Sequence, residues 1–304
     1  MTAPKVLLDC DTGIDDAMAV VYLAGLHKAG EIELVGITTT SGNVEATQCA
    51  RNSAYLLDLL GVEVPIAVGK QEPLVLDLVT TPETHGPTGL GYAVTPSTAG
   101  GQLSYDWQSI WENCGADLAI VTGPATNLAA YGHNPAPHVA LMGGAYLYKG
   151  NTTPTAEWNS WVDPHAAKQA FSQTDSPIQV CGLEVTETCI FTPEDWEGFA
   201  QVAPKNIAEV LGDALKFYFE FHESVGVGYC AQIHDLLTCM IALDKIPYES
   251  TLVAVDVEAE SPLLRGTTVA DFGGVWKKEP NCKLTRSADV EAAHREFARA
   301  LSCL

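Results

Sequence analysis

The sequence predicts an α/β protein, a doubly wound and mainly parallel sheet with helices on both faces, in a single domain over residues 1–304. Three observations carry that prediction. Short apolar runs alternate with helix-like segments through the first two-thirds of the chain, the rhythm of βαβ units. Three of the runs end in polar turns, at 9–16, 39–43 and 122–127, where strand ends of such a sheet meet ligand. No internal repeat, linker or low-complexity segment interrupts the pattern.

The elements follow in order. Val6-Leu7-Leu8 makes residues 5–8 the first strand, and 15–29 the helix after it. Residues 32–39 read as the second strand, and 46–60 place apolar side chains at helical spacing. Residues 65–68 form a short strand. The Gly-, Pro- and Thr-rich stretch 74–101 reads as a flexible loop suited to a lid. Residues 107–113 are helical, 118–122 a strand, 127–131 the start of a helix, and 139–142 a strand ending at Gly143-Gly144. Helix 206–222 then leads to Ile233-His234-Asp235-Leu236-Leu237.

Composition narrows the function classes. The chain is 47% hydrophobic and 18% charged, ordinary for a globular protein. No apolar run is long enough to span a bilayer, and Met1-Thr2-Ala3-Pro4-Lys5 runs directly into the first strand. Neither a membrane helix nor a signal peptide is expected, and the expected location is cytoplasmic. The formal charge of -22, from 38 acids and 16 bases, argues against nucleic-acid or anionic-membrane partners, which require clustered Lys and Arg. Nine cysteines, an odd number without a Cys-x-x-Cys pair, fit reduced thiols better than a disulfide framework or zinc site. Cys10 stands among carboxylates, which raise a thiol's pKa, so it makes a poor nucleophile.

The most informative segment is Asp9-Cys10-Asp11-Thr12-Gly13-Ile14-Asp15-Asp16, wedged between two apolar runs. Burying carboxylates together is opposed by desolvation and like-charge repulsion, and a divalent cation offsets both. Hard oxygen ligands favour Ca²⁺ or Mg²⁺. The segment is not an EF-hand: counting from Asp9, the fifth position is Gly13 and the twelfth is Val20. It also resembles the Asp-x-Asp-x-Thr opening of haloacid-dehalogenase-type phosphatases, in which Asp9 would be the nucleophile, but Asp15-Asp16 is foreign to that pattern.

Three further segments carry chemistry. Asn151, Glu157 and Asn159, with Trp158 beside them, have the donors, acceptors and apolar face of a polyol or ribose site. The same residues also suit a loop that uses Asn for turn geometry. In His234-Asp235, the carboxylate can serve a metal and the imidazole a substrate, although a lone His on an apolar face is usually a core residue. His85, in the glycine-rich loop, is placed to reach a ligand, and His222 is a weaker candidate on its helix. The turn after Thr122 can aim the Thr122 carbonyl at a cation, or be a plain strand-to-helix turn capped by Thr126.

Together these segments resemble the nucleoside hydrolase family, the inosine-uridine-preferring N-ribohydrolases, whose fingerprint is the opening Asp-x-Asp-x-Gly-x-Asp-Asp. The resemblance extends through Ser41-Gly42-Asn43, His85-Gly86, Thr122-Gly123-Pro124, Met142-Gly143-Gly144, the 151–159 loop, Val162-Asp163-Pro164 and His234-Asp235. It implies a Rossmann-like fold and a Ca²⁺ held by Asp11, Asp16, the Thr122 carbonyl and Asp235. It implies that Asp11 is also the general base for the attacking water. Asp15, Asn43, Asn151, Glu157 and Asn159 match the family's ribose-binding set, with Met142 at its edge. His234 matches the leaving-group histidine and leans toward inosine and uridine.

The implied reaction is hydrolysis of a small-molecule nucleoside to ribose and free base, in purine and pyrimidine salvage, by a homodimer or homotetramer. Asp9 would orient the other acids. The chain departs from the family at Leu236, where Pro is usual. Two alternatives stand beside this reading: a Mg²⁺-dependent phosphatase of the haloacid-dehalogenase type, and a non-catalytic ribose- or calcium-binding module.

Overall fold

The computed structural model describes residues 2–174 and 176–304; Met1, the first residue of the segment expected to run into the strand, lies outside them. Eight strands form the central sheet. They are β1 (Lys5–Cys10), β2 (Glu33–Thr39), β3 (Ile66–Val68), β4 (Leu118–Val121), β5 (His138–Met142), β6 (Ile178–Cys181), β7 (Tyr248–Val253) and β8 (Cys282–Ala288). Their order is β3-β2-β1-β4-β5-β6-β8-β7. Every pairing is parallel except that of the edge strand β7 with β8.

Alternation along β1 shows why the sheet is covered on both faces. Val6, Leu8 and Cys10 pack into one apolar core, while Leu7 points into a second with Trp107, Trp111 and Phe171. The first core is built mainly by helices α1 (Ile14–Lys28) and α2 (Ala46–Leu60), together with Lys205–Ser224, His234–Ala242 and Val290–Leu301. Helix α1 is buried at every position from Ile14 to Leu26. That agrees with its lack of a polar face in sequence, since a helix apolar all round belongs inside. No helix among the described residues is long and apolar enough to cross a membrane.

The strand order fixes where a site can form. The chain winds from β1 out to β3, then returns to place β4 on the other side of β1. The loops leaving β1 and β4 therefore diverge, opening a crevice at their carboxyl ends. Into it run the turns after β1, β2 and β4, the three strand ends singled out in the sequence. The expected lid at 74–101 contains a helical turn, Pro82–His85. It is also tied down: Asn52 of α2 donates to the Thr88 carbonyl at 2.8 Å and accepts from Thr95 Oγ1 at 2.7 Å.

Candidate active site

At the switch point lies a cavity of about 500 Å³. Asp11, Asp15, Asn43, His85, Thr122, Met142, Asn151, Glu157, Trp158, Asn159, His234 and Asp235 all line it. Asp16, the remaining site residue expected from the sequence, is fully buried and lies beneath the cavity wall. A larger surface hollow of about 640 Å³, between Leu74, His165, Lys168 and Asn281, gathers no comparable set of carboxylates.

The floor is acidic. Oxygens of Asp15, Asp16 and Asp235 lie within 4.8 Å of one another, and all three residues are buried. Asp16 is held by three donors: the Gly13 N–H at 2.9 Å, Asn43 Nδ2 at 3.2 Å and Thr122 Oγ1 at 2.8 Å. Asp11 accepts the Asn43 N–H at 2.7 Å. Burial, followed by the charge of Asp16, pushes the Asp11 carboxyl well up and that of Asp15 up to about 7. Burial and the charge of Asp15 do the same to Asp235. Among the described residues, Lys149 is the only Lys or Arg lining the cavity, and it pairs with Glu187 at 3.1 Å. Buried oxygens without a counter-charge fit a hard divalent cation.

Asp9 departs from its expected place. Its Oδ1 accepts from Thr38 Oγ1 at 2.6 Å and Asn127 Nδ2 at 2.7 Å, and it does not line the cavity. Side-chain alternation along β1 explains this: Asp9 follows the Leu7 face, so it links β1 to β2 and to helix Thr126–Tyr131.

Glycine lets the acidic turn and its neighbour approach closely. A Cβ on Gly42 would lie 2.1 Å from Asp11 Oδ2 and 2.8 Å from Pro124 Cδ. Gly42→Ala must therefore displace Asp11 while leaving the sheet intact. Because misplacing a reacting group by ~1 Å can cost roughly a hundredfold in rate, kcat is expected to fall by about that factor with the circular-dichroism spectrum unchanged. A kcat near wild type would contradict this packing.

The opposite wall is amide-rich. Glu157 caps helix Trp158–Val162, its carboxylate accepting the N–H groups of Gly144, Asn159 and Ser160 at 2.9, 2.7 and 3.0 Å. Asn159 Nδ2 donates to the Thr122 carbonyl at 2.7 Å, leaving that oxygen a second lone pair. The Asn151 side chain accepts the Trp158 N–H at 2.9 Å. The loop is thus held by its own polar residues and still turns them toward the cavity.

Three histidines line the cavity beyond, His85, His222 and His234. The Ile14 N–H, at the start of α1, donates to His85 Nδ1 at 3.0 Å, so the ring's proton resides on Nε2. Burial pulls both His85 and His234 down to about 3, with neighbouring His222 acting in the same direction. Both rings are neutral at physiological pH.

Several cavity residues have no local motif, namely Lys149, Glu187, Tyr218, Phe221 and Gln232, and His222, the weaker candidate of the sequence, lies among them. One signal was available for part of this group. Tyr218, Phe221, His222 and Val225 stand at i, i+3, i+4 and i+7, a single face of a helix.

The fold thus places a buried carboxylate cluster at the switch point of a doubly wound sheet, with an amide-rich wall facing it. Comparison with known proteins supplies the class. The family profile described as inosine-uridine preferring nucleoside hydrolase matches residues 6–295, and the chain belongs to that family of nucleoside-hydrolysing enzymes. Among its relatives, the pyrimidine-specific ribonucleoside hydrolase RihA of Escherichia coli O7:K1 is 32% identical over 302 residues, covering 94% of each chain. RihA of Klebsiella pneumoniae is 31% identical over 305 residues, covering 95% of this chain and 96% of its own. Among solved structures, the purine-preferring ribonucleoside hydrolase from Gardnerella vaginalis superposes with a TM-score of 0.86 at 28% identity, covering 98% of each chain. The plant nucleoside hydrolase PpNRh1 gives a TM-score of 0.85 at 27% identity, covering 98% of this chain and 99% of its own.

Proposed function

We propose that this chain hydrolyses the N-glycosidic bond of ribonucleosides, uridine or inosine among them, to ribose and free base with Ca²⁺ as cofactor. The observation that carries this reading is the single cavity that joins a buried, uncompensated carboxylate cluster to a Glu157, Asn151 and Asn159 wall. Asp11, Asp16, the Thr122 carbonyl and Asp235 would hold the cation. When bound, it supplies Lewis acidity and an anchor for water and ribose hydroxyls.

The chain's own groups do the rest. Asp11 takes the proton from the attacking water as the water oxygen bonds to C1′. Asp15, Asn43, Asn151, Glu157 and Asn159 hold the ribose, with Met142 and Trp158 at its edges, and keep C1′ in line with that water. The glycosidic bond breaks through an oxocarbenium-like state, its electron pair passing to the base. His234, neutral through burial, assists by hydrogen bonding to that base, and His85 is a second donor.

A phosphatase would need Asp9 as nucleophile, and Asp9 is turned away from the cavity. The setting we propose is cytoplasmic nucleoside salvage by a homodimer or homotetramer. The nine free cysteines suit a reducing compartment.

His234→Ala tests the division of labour. The variant is expected to keep metal binding and to hydrolyse p-nitrophenyl riboside, whose leaving group needs no donor, near the wild-type rate. On uridine or inosine it should lose about a hundredfold or more in kcat. Equal losses on both substrates would contradict the leaving-group role.

A further inference from the structure

Thr186 closes the helical turn Leu183–Thr186, and its hydroxyl is fully buried 2.9 Å from His234 Nδ1. Among the described residues, this nitrogen is the hydroxyl's only hydrogen-bond partner. A threonine hydroxyl has one proton and two lone pairs. If Nδ1 carried the ring's proton, the hydroxyl would accept it and leave its own hydrogen buried without an acceptor. Native interiors avoid such orphaned donors. The hydroxyl therefore donates to Nδ1, and the imidazole proton lies on Nε2.

We infer that Thr186 is a positioning residue that holds His234 in its Nε2–H tautomer, so that the ring offers the departing base an N–H donor. This rests on the reading of His234 as the leaving-group residue. The chemistry balances without a charged imidazole. The C1′–N electron pair passes to the base, the Nε2–H hydrogen bond stabilises the charge developing there, and solvent supplies the proton that neutralises it. His234 ends the step as it began. The role resembles that of the third member of a catalytic triad, which orients an imidazole and selects its tautomer. A hydroxyl does this here without adding a charge.

The surrounding frame does not depend on the hydroxyl. The Ile233 N–H donates to the Cys189 carbonyl at 2.8 Å, and the Thr186 N–H to the Gly182 carbonyl at 3.0 Å. Thr186→Val keeps the shape and both backbone bonds while removing the donor, and Thr186→Ser keeps the donor.

Two readouts test the inference. Nitrogen-15 NMR of the wild-type imidazoles should show His234 with a protonated, pyrrole-type Nε2 and a bare, pyridine-type Nδ1, and Thr186→Val should mix the tautomers. In kinetics, Thr186→Val should lower kcat on uridine or inosine by about ten- to a hundredfold while changing p-nitrophenyl riboside by less than about twofold. Thr186→Ser should restore most of the loss. Placed on a His234→Ala background, Thr186→Val should add less than about a twofold effect, because the two act as one unit.

A proton found on Nδ1, equal losses on both substrates, or a full additional loss on the His234→Ala background would each overturn the inference. If the wild type released no ribose from any nucleoside, the reading of the site would fall, and the nitrogen signals would still decide the tautomer.

Discussion

Asp11→Ala is expected to lower kcat by about a thousandfold or more and to weaken cation binding, because one substitution removes both a ligand and the base. Two of the acids beside Asp11 are held elsewhere, and Asp11 itself is fixed in place. Its Oδ2 is fixed by the Asn43 N–H at 2.7 Å, and the side chain is packed between Gly42 and Gly123. Asp16 is committed to Gly13, Asn43 and Thr122. Asp9 faces the other side of the sheet. Steady-state kinetics with saturating Ca²⁺ checks this, and a kcat within tenfold of wild type would refute the assignment of Asp11 as base.

Chelation should lower the melting temperature, and by more at pH 8 than at pH 6. In the metal-free protein, burial raises the carboxyls of Asp11, Asp15, Asp16 and Asp235, with Asp15 reaching about 7 from an ordinary 3.8. An acid whose folded pKa exceeds its unfolded value binds more protons when folded. Stability then falls as pH rises through the window between the two values, about 4 to 7 for Asp15. Above that window the folded chain must hold several buried carboxylates ionised. A bound cation removes most of that cost and favours the ionised form. Asp9 is also raised to about 7, mainly by burial and in part by the charge of Asp16, so it titrates in the same window. Thermal melts with chelator and with Ca²⁺ at the two pH values measure the effect. A chelator-induced shift that is absent at pH 8, or larger at pH 6, would contradict it.

Legibility followed locality. The β1 run, its acidic turn and α1 were readable because burial, period and chemistry all fall within about twenty residues; helix 46–60 coincides with the observed Ala46–Leu60. The C-terminal strands were not assigned. In β7 the residues Tyr248–Val253 read as polar and apolar mixed because it is an edge strand, and its burial is correspondingly irregular. Charge and burial alone leave the four acids of the motif equivalent, and only the family resemblance separates them in the sequence; in the fold, alternation sends Asp9 to the Trp111 face, and the start of α1 sends Asp15 and Asp16 toward Asp235. Lys149 and Glu187 were invisible as a pair because their 38-residue separation closes only in the fold. The Thr186–His234 contact, 48 residues apart, is of the same kind.

The central claim is hydrolysis of the ribosyl bond at this cavity. Its most direct measurement is release of ribose from uridine, inosine, cytidine, adenosine, xanthosine and nicotinamide riboside, with Ca²⁺ present and with or without added phosphate. The expected result is equimolar ribose and free base from at least uridine or inosine, unchanged by phosphate. Absence of ribose from every nucleoside, or cleavage that requires phosphate, would contradict it.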